Sequence, residues 1–544
     1  MASEEVLRKT LKNADGKPFQ KYKGIQNNFV LEDFEIIFDD VQNDRMGHTA
    51  IRVRVPLKKA GFPDDTHDTK VREIALRDLI ARRFRESART HARSPIPKTS
   101  GGEVFIPRPG QEILERGCIA ISPFFIEARF TADLPADGNK VSAIAMDLLL
   151  ERIRMIISES LYYSSYKQSK LYNHIQTYEN AEFIRANLAS KGLAAFVADG
   201  SVMPRREDDL APMIDAHPFS CDESLKVTFD LPNGERITGM GVPVGFTVIA
   251  GSSRSGKSTL LDAVFSGVYD HIPGDGREYI IASPDAAFII AEPNRPADSV
   301  DISMFVERTP EFEDTGAAKK EFISSPMSEL VSISEAVEMG SRLLLMDEEY
   351  SNPGVIRKGF LSEGEPIRSM SELGRSMGRQ GISVIMVSGD ESAIRSADTV
   401  LVMDGFSAVK ATVDPKDGGE EYRFPLERFP ISKGIVYEKG HRDVNVTVQD
   451  IRTVEIGEFK VHVPVAALFD TSQTSTVADA VAVMKDMMDG SKSMLETCRM
   501  AIDAIRAEDD SFDNGSGMHH AFIRPVDLAA VLNRHPQMLA IQKR

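Results

Sequence analysis

The chain has 544 residues, a formal net charge of −17 and a hydrophobic fraction of 42%. That hydrophobic fraction is typical of folded protein and excludes a chain that is disordered throughout. The negative charge excludes indiscriminate nucleic-acid binding by the whole surface, but not a local basic patch. We expect a cytoplasmic protein with no membrane partner, because no stretch approaches the roughly 20 apolar residues of a spanning helix and the charged N-terminus is no secretory signal.

The first part of the chain predicts a mixture of strands and helices. Alternating apolar and polar residues predict strands between residues 29 and 55. Residues 71–93 have helical spacing, with an apolar stripe and a basic opposite face. Residues 103–135 predict further strands, and residues 141–191 predict helical structure. These elements predict an α+β N-terminal domain over residues 1–224.

The segment from Arg72 to Lys98 is basic: it holds eight Lys or Arg residues and three acids, an excess of five positive charges. Two interpretations stay open, a solvated helix face or a surface that contacts nucleic-acid phosphates. Phe84 is the one Phe, Tyr or Trp in this stretch, so base stacking is not indicated. In the second interpretation the contacting residues are Arg82, Arg83, Arg85, Arg89 and Arg93.

Residues 251–258, GSSRSGKS, match the phosphate-binding loop pattern G-x-x-x-x-G-K-[ST]. An apolar strand precedes the pattern and a helix follows it, which is the context that the loop requires. Glycines let successive backbone amides face a phosphate, and the helix start adds partial positive charge. Lys257 is predicted to reach the β- and γ-phosphates, and the Ser258 hydroxyl to bind Mg²⁺. The predicted nucleotide contacts are Gly251, Ser252, Ser253, Arg254, Ser255, Gly256, Lys257, Ser258 and Thr259.

Residues 343–347 predict a buried parallel strand that ends at Asp347. Because α/β sheets bind ligands at the carboxyl ends of their strands, Asp347 is predicted to hold Mg²⁺. Glu348 is the predicted catalytic residue that orients the attacking water, together with Lys257. Glu349 is the competing candidate for the role of Glu348.

Strands and helices alternate from Leu225 to about Met403, which predicts a layered α/β core. The predicted fold class is therefore α/β. A P-loop NTPase core occupies residues 225–425 and a C-terminal α+β extension occupies residues 426–544.

Several motifs in this chain resemble the predicted ATPases of the ABC class, over nearly its whole length. They are GQEILER (110–116), FVADGSVMPR (196–205), GMGVPVG (239–245), GVYDHIPGDGREY (267–279), LLLMDEEYSN (343–352) and RPVDLAAVLNR (524–534). The resemblance implies an ABC-type core, ATP and Mg²⁺ as cofactors, and a homodimer with ATP in its interface.

In such a dimer each protomer offers a helix start to its partner's γ-phosphate. The matching stretch here is residues 324–340, and Ser325 and Ser328 are the implied polar contacts. Pro326 departs from the family pattern and removes one backbone N–H from an anion-binding helix start. Ser388 stands where transporter-type ABC ATPases carry His. Its hydroxyl can bind a γ-phosphate but has no positive charge, so we expect slow hydrolysis.

The resemblance also places Glu292 where ABC proteins have a metal-facing Gln; a surface residue is the alternative. Asp275 and Arg277 become candidate nucleotide contacts, with a structured Gly/Pro turn as the alternative. Members of the family have been linked to RNA binding, which implies RNA as a partner of the basic segment.

The leading functional hypothesis is an ATP hydrolase that acts on RNA or another polyanion and whose dimer opens and closes with nucleotide. The alternative is a nucleotide-gated binding protein with little or no hydrolysis, consistent with Pro326 and Ser388. A P-loop kinase is a third hypothesis, which Glu348 disfavours because it suits water as the acceptor.

Overall fold

A computed structural model describes residues 2–91, 100–207, 210–358, 367–413, 421–431, 435, 445–512 and 517–543. The chain divides into two compact units. The first comprises Met1–Glu179, Asp470–Thr476 and Ile505–Phe522, and the second comprises Asn180–Phe469, Val477–Ala504 and Ile523–Arg544. Within the described ranges, no helix is both long and apolar enough to cross a bilayer.

The first unit is built around a sheet in which the first two strands are parallel to each other and the other pairs are antiparallel, with helices beside it. Its strands are β1 (Ala2–Ser3), β2 (Asn28–Leu31), β3 (Phe34–Asp40), β4 (Thr49–Pro56), β5 (Val104–Phe105), β6 (Glu112–Ile113), β7 (Ile119–Ile121), β8 (Phe125–Ala132), β9 (Ala136–Asp137) and β10 (Lys140–Val141). The helices in this part of the chain are α1 (Glu4–Ala14), α2 (Leu57–Ala60), α3 (Lys70–His91), α4 (Ala143–Ser160) and α5 (Gln168–Asn187).

The main sheet of this unit has the order β1-β2-β3-β4-β8-β5, with β7 also paired to β8. The strands predicted over residues 29–55 and 103–135 are confirmed, as is the helix over 71–93 for its described part. The helical structure predicted over 141–191 is confirmed as two helices, α4 and α5.

The second unit contains the layered α/β core. Its strands up to residue 411 are β11 (Leu193–Ala198), β12 (Ser220–Cys221), β13 (Lys226–Asp230), β14 (Arg236–Pro243), β15 (Phe246–Gly251), β16 (Asp270–His271), β17 (Ile280–Ala282), β18 (Ala287–Ile289), β19 (Ala297–Val300), β20 (Ala318–Lys320), β21 (Leu343–Asp347), β22 (Ser383–Val387), β23 (Thr399–Asp404) and β24 (Ser407–Ala411). The helices among them are α6 (Lys257–Ser266), α7 (Ser325–Glu338), α8 (Pro353–Ile356), α9 (Met370–Arg379) and α10 (Glu391–Ser396).

The central sheet of this core has the order β12-β24-β23-β15-β22-β21-β18. Strands β23, β15, β22, β21 and β18 run parallel, and β24 is antiparallel to β23. All five residues of β21 and of β22 are buried, as expected for interior parallel strands. Helix α9 approaches the sheet closely at Gly378, where a Cβ would lie 2.8 Å from the Cα of Gly245. The predicted α/β fold class is confirmed.

A second, antiparallel sheet has the order β13-β14-β11-β17. The remaining elements are β25 (Arg428–Pro430), β26 (Val446–Asp450), β27 (Thr453–Ile456), β28 (Phe459–His462), α11 (Thr471–Met484), α12 (Met494–Asp509), α13 (Pro525–Asn533) and β29 (Ala540–Gln542). Strands β26, β27 and β28 form a small antiparallel sheet, and β25 pairs with β29.

Candidate functional site

The loop between β15 and α6 adopts backbone angles that favour glycine. Gly251 has φ +142° and Gly256 has φ +94°, while Arg254 adopts φ +62°. A Cβ on Gly251 would lie 2.6 Å from the carbonyl oxygen of Met403, and a Cβ on Gly256 would lie 2.9 Å from the ring of Phe406. A side chain at either glycine would therefore push the loop away from the end of β23.

The predicted phosphate contacts follow this loop into the first turn of α6. Their side chains are exposed at Ser252, Ser253 and Arg254, buried at Ser255, and half-buried at Lys257, Ser258 and Thr259. The Lys257 ammonium donates hydrogen bonds to the carbonyl oxygens of Gly251 (3.1 Å) and Ser252 (2.8 Å). The loop thus places a cation beside a helix start, an arrangement that binds phosphate.

The sheet order brings the acidic strand end to the same edge as this loop. Strand β22 lies between β15 and β21, and its Val387 is level with Ile249 on one side and Asp347 on the other. Because all three strands are parallel, the residues that follow them lie at one carboxyl edge, where α/β proteins bind ligands.

The two predicted acids have different surroundings. Asp347 is buried, and its Oδ1 accepts a hydrogen bond from the backbone N–H of Glu349 (3.0 Å). Glu348 is half-buried, and its Oε2 accepts hydrogen bonds from the Ser388 hydroxyl (3.1 Å) and from the backbone N–H of Gly389 (2.9 Å). Ser388 is itself fully buried, so in this structure it orients Glu348.

The residues at this edge fit a bound cation. The Oδ2 atom of Asp347 is buried and has no hydrogen-bond partner among the described residues. An unpaired buried carboxylate oxygen is costly unless a cation or a donor reaches it. No group of three or more His, Cys, Asp or Glu side chains in the described ranges could hold a metal by itself. A cation here would therefore need Ser258, water and phosphate oxygens as further ligands.

Glu292, the other predicted metal ligand, is engaged elsewhere. Its carboxylate receives a two-point contact from the guanidinium of Arg534, with Nε donating to Oε1 at 3.1 Å and Nη2 donating to Oε2. Burial opposes the charge of Glu292, but Arg534 outweighs burial and lowers the pKa of the carboxyl. The surface position considered as the alternative is wrong, because the side chain is 13% exposed.

The two serines at the start of α7 differ in access. Ser325 is half-buried, and its Oγ accepts a hydrogen bond from the side-chain amide of Asn352 (3.3 Å). Ser328 is fully buried; its hydroxyl donates to the carbonyl oxygen of Ser325 (2.7 Å) and accepts from the backbone N–H of Glu292 (2.8 Å). Ser328 therefore faces inward as the protein is folded here, and Ser325 is the better placed of the two to meet a ligand.

Two acids near the start of α7 were not predicted from the sequence as site residues. Glu311 accepts hydrogen bonds from the backbone N–H of Ser324 (2.6 Å) and from its hydroxyl (2.5 Å), which puts a negative charge at the helix start. Glu329 is fully buried and accepts from the backbone N–H of Asn352 (2.7 Å). Glu329 lies in an apolar stretch of α7, and that sequence context could have revealed it. Glu311 is distant in sequence, so no local pattern indicated it.

Asp275 and Arg277 lie away from the phosphate loop. Asp275 accepts a hydrogen bond from Arg205 (2.6 Å) and lies 2.9 Å from the ring of His271. Arg277 donates to the hydroxyl of Ser266 (3.0 Å), the last residue of α6. The loop is at the other end of α6, nine residues or about 13 Å away. Both side chains are buried. Of the two interpretations, a structured turn therefore fits them better than a contact with the nucleotide bound by the same chain.

The arginines of α3 make contacts within the first unit. Arg82 bonds to the Asp78 carboxylate (2.6 Å) and to two backbone carbonyl oxygens. Arg83 bonds to Glu86 and to a carbonyl oxygen, and Arg85 bonds to the carbonyl oxygen of Ile106. Arg89 is exposed. Arg93 lies outside the described residues.

Three family models match consecutive parts of the chain. Residues 4–164 match the N-terminal domain of ATPases of the ABC class, residues 167–424 match the ABC ATPase P-loop domain, and residues 445–540 match the MRB1590 C-terminal domain. The chain belongs to the ABC-class ATPases. This membership confirms the family inferred from the motifs, and it assigns ATP binding to the P-loop domain.

One curated relative of this ABC-class ATPase is the uncharacterized protein MJ1628 of Methanocaldococcus jannaschii, 29% identical over 205 residues. The match covers 36% of this chain and 46% of the relative, so the chain spans less than half of that protein's length. Similar solved structures include cbiO1 from Clostridium perfringens, part of the ABC transporter complex cbiONQ (15% identity, 34% of this chain, 86% of that chain, TM-score 0.22). Another is MJ1267, an ATP-binding cassette of an ABC transporter in its ADP conformation. It is 14% identical, the match covers 36% of this chain and 90% of that chain, and the TM-score is 0.22.

Proposed function

We propose that this ABC-class ATPase binds ATP together with Mg²⁺ and hydrolyses it at the carboxyl edge of the central sheet. The observation that carries the proposal is the position of Lys257, Asp347 and Glu348 at one edge of three neighbouring parallel strands. Phosphoryl transfer to water needs positioning and charge neutralisation above all, and this edge offers residues for both.

Each residue has a defined part in this proposal. The loop amides and the Lys257 ammonium neutralise the β- and γ-phosphates. Ser258 and the unpaired Oδ2 of Asp347 hold Mg²⁺, which supplies further positive charge. Glu348 accepts a hydrogen bond from the attacking water, and Ser388 fixes the orientation of its carboxylate.

We further propose that two copies of the chain close around ATP. The start of α7, with Ser324 exposed and Ser325 half-buried, would face the γ-phosphate bound by the partner. Helix starts bind anions through free N–H groups, and the helix dipole adds to the attraction. Pro326 lacks one of these N–H groups, and Glu311 places a like charge beside them. Both features weaken the contact and are consistent with slow turnover.

The same features favour a second candidate, a nucleotide-gated binding protein that hydrolyses little ATP. Glu348 already accepts two hydrogen bonds, and Arg357 lies 3.9 Å from its carboxylate. Both hydrogen bonds end on Oε2, so part of the carboxylate's accepting capacity is already used before a water binds.

Phosphate release from the full-length protein distinguishes these two functions. We expect wild type to release phosphate from ATP in Mg²⁺, and Lys257→Ala to release none above background. Glu348→Gln should retain ATP and lose release by about 100-fold or more. Glu349→Gln is the matched control, since Glu349 is the exposed neighbour and should behave as wild type.

Equal release by wild type and Lys257→Ala would contradict hydrolysis at this site. Loss of activity in Glu349→Gln, with Glu348→Gln unaffected, would assign the water to the other acid. ATP binding by wild type without any release would favour the second candidate.

RNA remains the proposed polyanion partner of the N-terminal domain. The described guanidinium groups of Arg82, Arg83 and Arg85 each bond to acids or carbonyl oxygens of the same unit, whereas Arg89 is exposed. We expect Arg89→Ala to weaken salt-sensitive RNA binding more than Arg85→Ala, because an exposed cation exchanges counterions for phosphates. If wild type and Arg89→Ala bind RNA with equal affinity at both 50 mM and 200 mM salt, α3 is not part of an RNA-binding surface.

A further inference from the structure

The ion pair of Glu292 and Arg534 joins two distant parts of the chain. Glu292 follows β18 in the P-loop domain, and Arg534 follows α13 in the stretch matched by the C-terminal domain model. The guanidinium contacts both carboxylate oxygens. The side chain of Arg534 is 10% exposed and that of Glu292 is 13% exposed. A buried two-point pair of this kind has a fixed geometry and is costly to leave half-made.

Glu292 lies at the same sheet edge as the acids of the nucleotide site. Strand β18 is parallel to β21, and Ile289 is level with Met346, one residue before Asp347. Next to Glu292, the backbone N–H of Ala291 donates to the carbonyl oxygen of Tyr350 (2.9 Å). The segment that carries Glu292 is thus bonded to the turn that follows the catalytic acids.

The neighbouring Arg295 extends this contact to α7. It donates to the Ser332 hydroxyl (2.9 Å) and to both oxygens of Glu335 (2.8 and 2.7 Å), and it contacts the carbonyl oxygen of Asn533. Burial, together with the like charge of Arg534, lowers the pKa of Arg295 although Glu335 opposes the change. Arg295 thus lies within reach of the like charge of Arg534 and of the opposite charge of Glu292.

We propose that the ion pair of Arg534 and Glu292 links the C-terminal domain to the nucleotide site, and that this pair opens when metal-bound ATP is present. The inference rests on the proposed function. Glu292 is drawn from a monovalent guanidinium toward a divalent cation held at Asp347. Once Glu292 leaves, Arg534 loses its two-point contact and is left near the like charge of Arg295, whose own carboxylate partner is Glu335. The end of α13 then separates from segment 291–295. The C-terminal domain thereby responds to the nucleotide.

Amide hydrogen exchange of the full-length protein tests this coupling directly. With ATP and Mg²⁺, we expect peptides that cover residues 525–534 to exchange at least about threefold faster in wild type. ATP in the presence of EDTA should leave their exchange unchanged. In Glu292→Gln the pair is already weakened, so exchange in α13 should be fast without ligand and should not respond to ATP.

Arg499→Met is the matched control, because Arg499 is an exposed arginine on the neighbouring α12. It should respond to ATP as wild type does. If Glu292→Gln does not fold, the double variant Glu292→Gln/Arg534→Met removes both charges and takes its place.

Calorimetry on the same samples separates the two possible failures. Tight ATP binding by wild type with unchanged exchange in α13 overturns the coupling and leaves the proposed function intact. An ATP response in Glu292→Gln that equals that of wild type overturns it as well. Failure of wild type to bind ATP at all overturns the proposed function, and the coupling with it.

Discussion

Glu329 on α7 allows a quantitative test of the packing around the nucleotide site. Its side chain is fully buried, Oε2 accepts the backbone N–H of Asn352, and Oε1 has no hydrogen-bond partner among the described residues. Burial raises the pKa of the Glu329 carboxyl to about 7, from an ordinary value of 4.5, although the backbone N–H of Asn352 and the nearby Ser351 side chain oppose the rise. The substitution Glu329→Gln keeps the shape and an acceptor for Asn352 but cannot ionise.

The raised pKa fixes the sign of the pH dependence. The folded protein binds the Glu329 proton more tightly than the unfolded chain, so this group stabilises the fold below about pH 4.5. That stability is lost as the pH rises toward and through 7, because the buried carboxyl must then ionise. Between pH 5 and pH 8 the wild type loses about 2.5 kcal/mol through this group, at 1.36 kcal/mol per pKa unit. Glu329→Gln loses none of it.

Urea unfolding at both pH values measures this difference. The free energy of unfolding of Glu329→Gln minus that of wild type should increase by about 2.5 kcal/mol from pH 5 to pH 8. Glu349→Gln, which removes an exposed carboxylate three residues before Asn352, should show no such increase. A difference between Glu329→Gln and wild type that is the same at both pH values would refute the burial of an ionisable carboxyl at this position.

Three further substitutions test other parts of the site. Gly256→Ala should weaken ATP binding about tenfold or more in calorimetry, because the positive φ and the approach to Phe406 leave no space for a Cβ. An ATP affinity of Gly256→Ala equal to that of wild type would contradict the loop geometry. Arg277→Met should lower the free energy of unfolding in urea by about 3 kcal/mol, because the hydrogen bonds of its buried guanidinium stabilise the far end of α6. Its affinity for ATP should stay unchanged. Weaker ATP binding without a loss of stability would instead indicate that Arg277 contacts the nucleotide. Glu311→Gln should strengthen ATP-driven dimerisation up to about fivefold in sedimentation, because it removes a negative charge at the start of α7. Unchanged or weaker dimerisation would contradict the proposal that the start of α7 contacts the partner's phosphate.

The parts of the site that are local in sequence could be predicted. A phosphate loop needs a strand, glycines and a helix within a few residues. The residues around GSSRSGKS were therefore sufficient to predict the loop together with its strand and helix. The acidic strand end was similarly evident, because four apolar residues before Asp347 are typical of an interior parallel strand. Both predicted strands lie in the central sheet.

The parts that depend on distant residues could not be predicted. The partner of Glu292 is Arg534, 242 positions away, and no spacing rule connects them. The arginines of α3 looked available because a helical pattern shows faces but not the carbonyl oxygens that neighbouring loops bring to them.

Calorimetric titration of the purified protein with ATP and Mg²⁺ is the most direct test of the central claim, that the loop at residues 251–259 binds a metal-bound triphosphate. We predict saturable binding with one ATP per chain for wild type, and a loss of affinity of at least about 100-fold for Lys257→Ala, which removes the ammonium from the phosphates. Equal heats of binding for the two proteins, or no heat for wild type at millimolar ATP, would contradict the account.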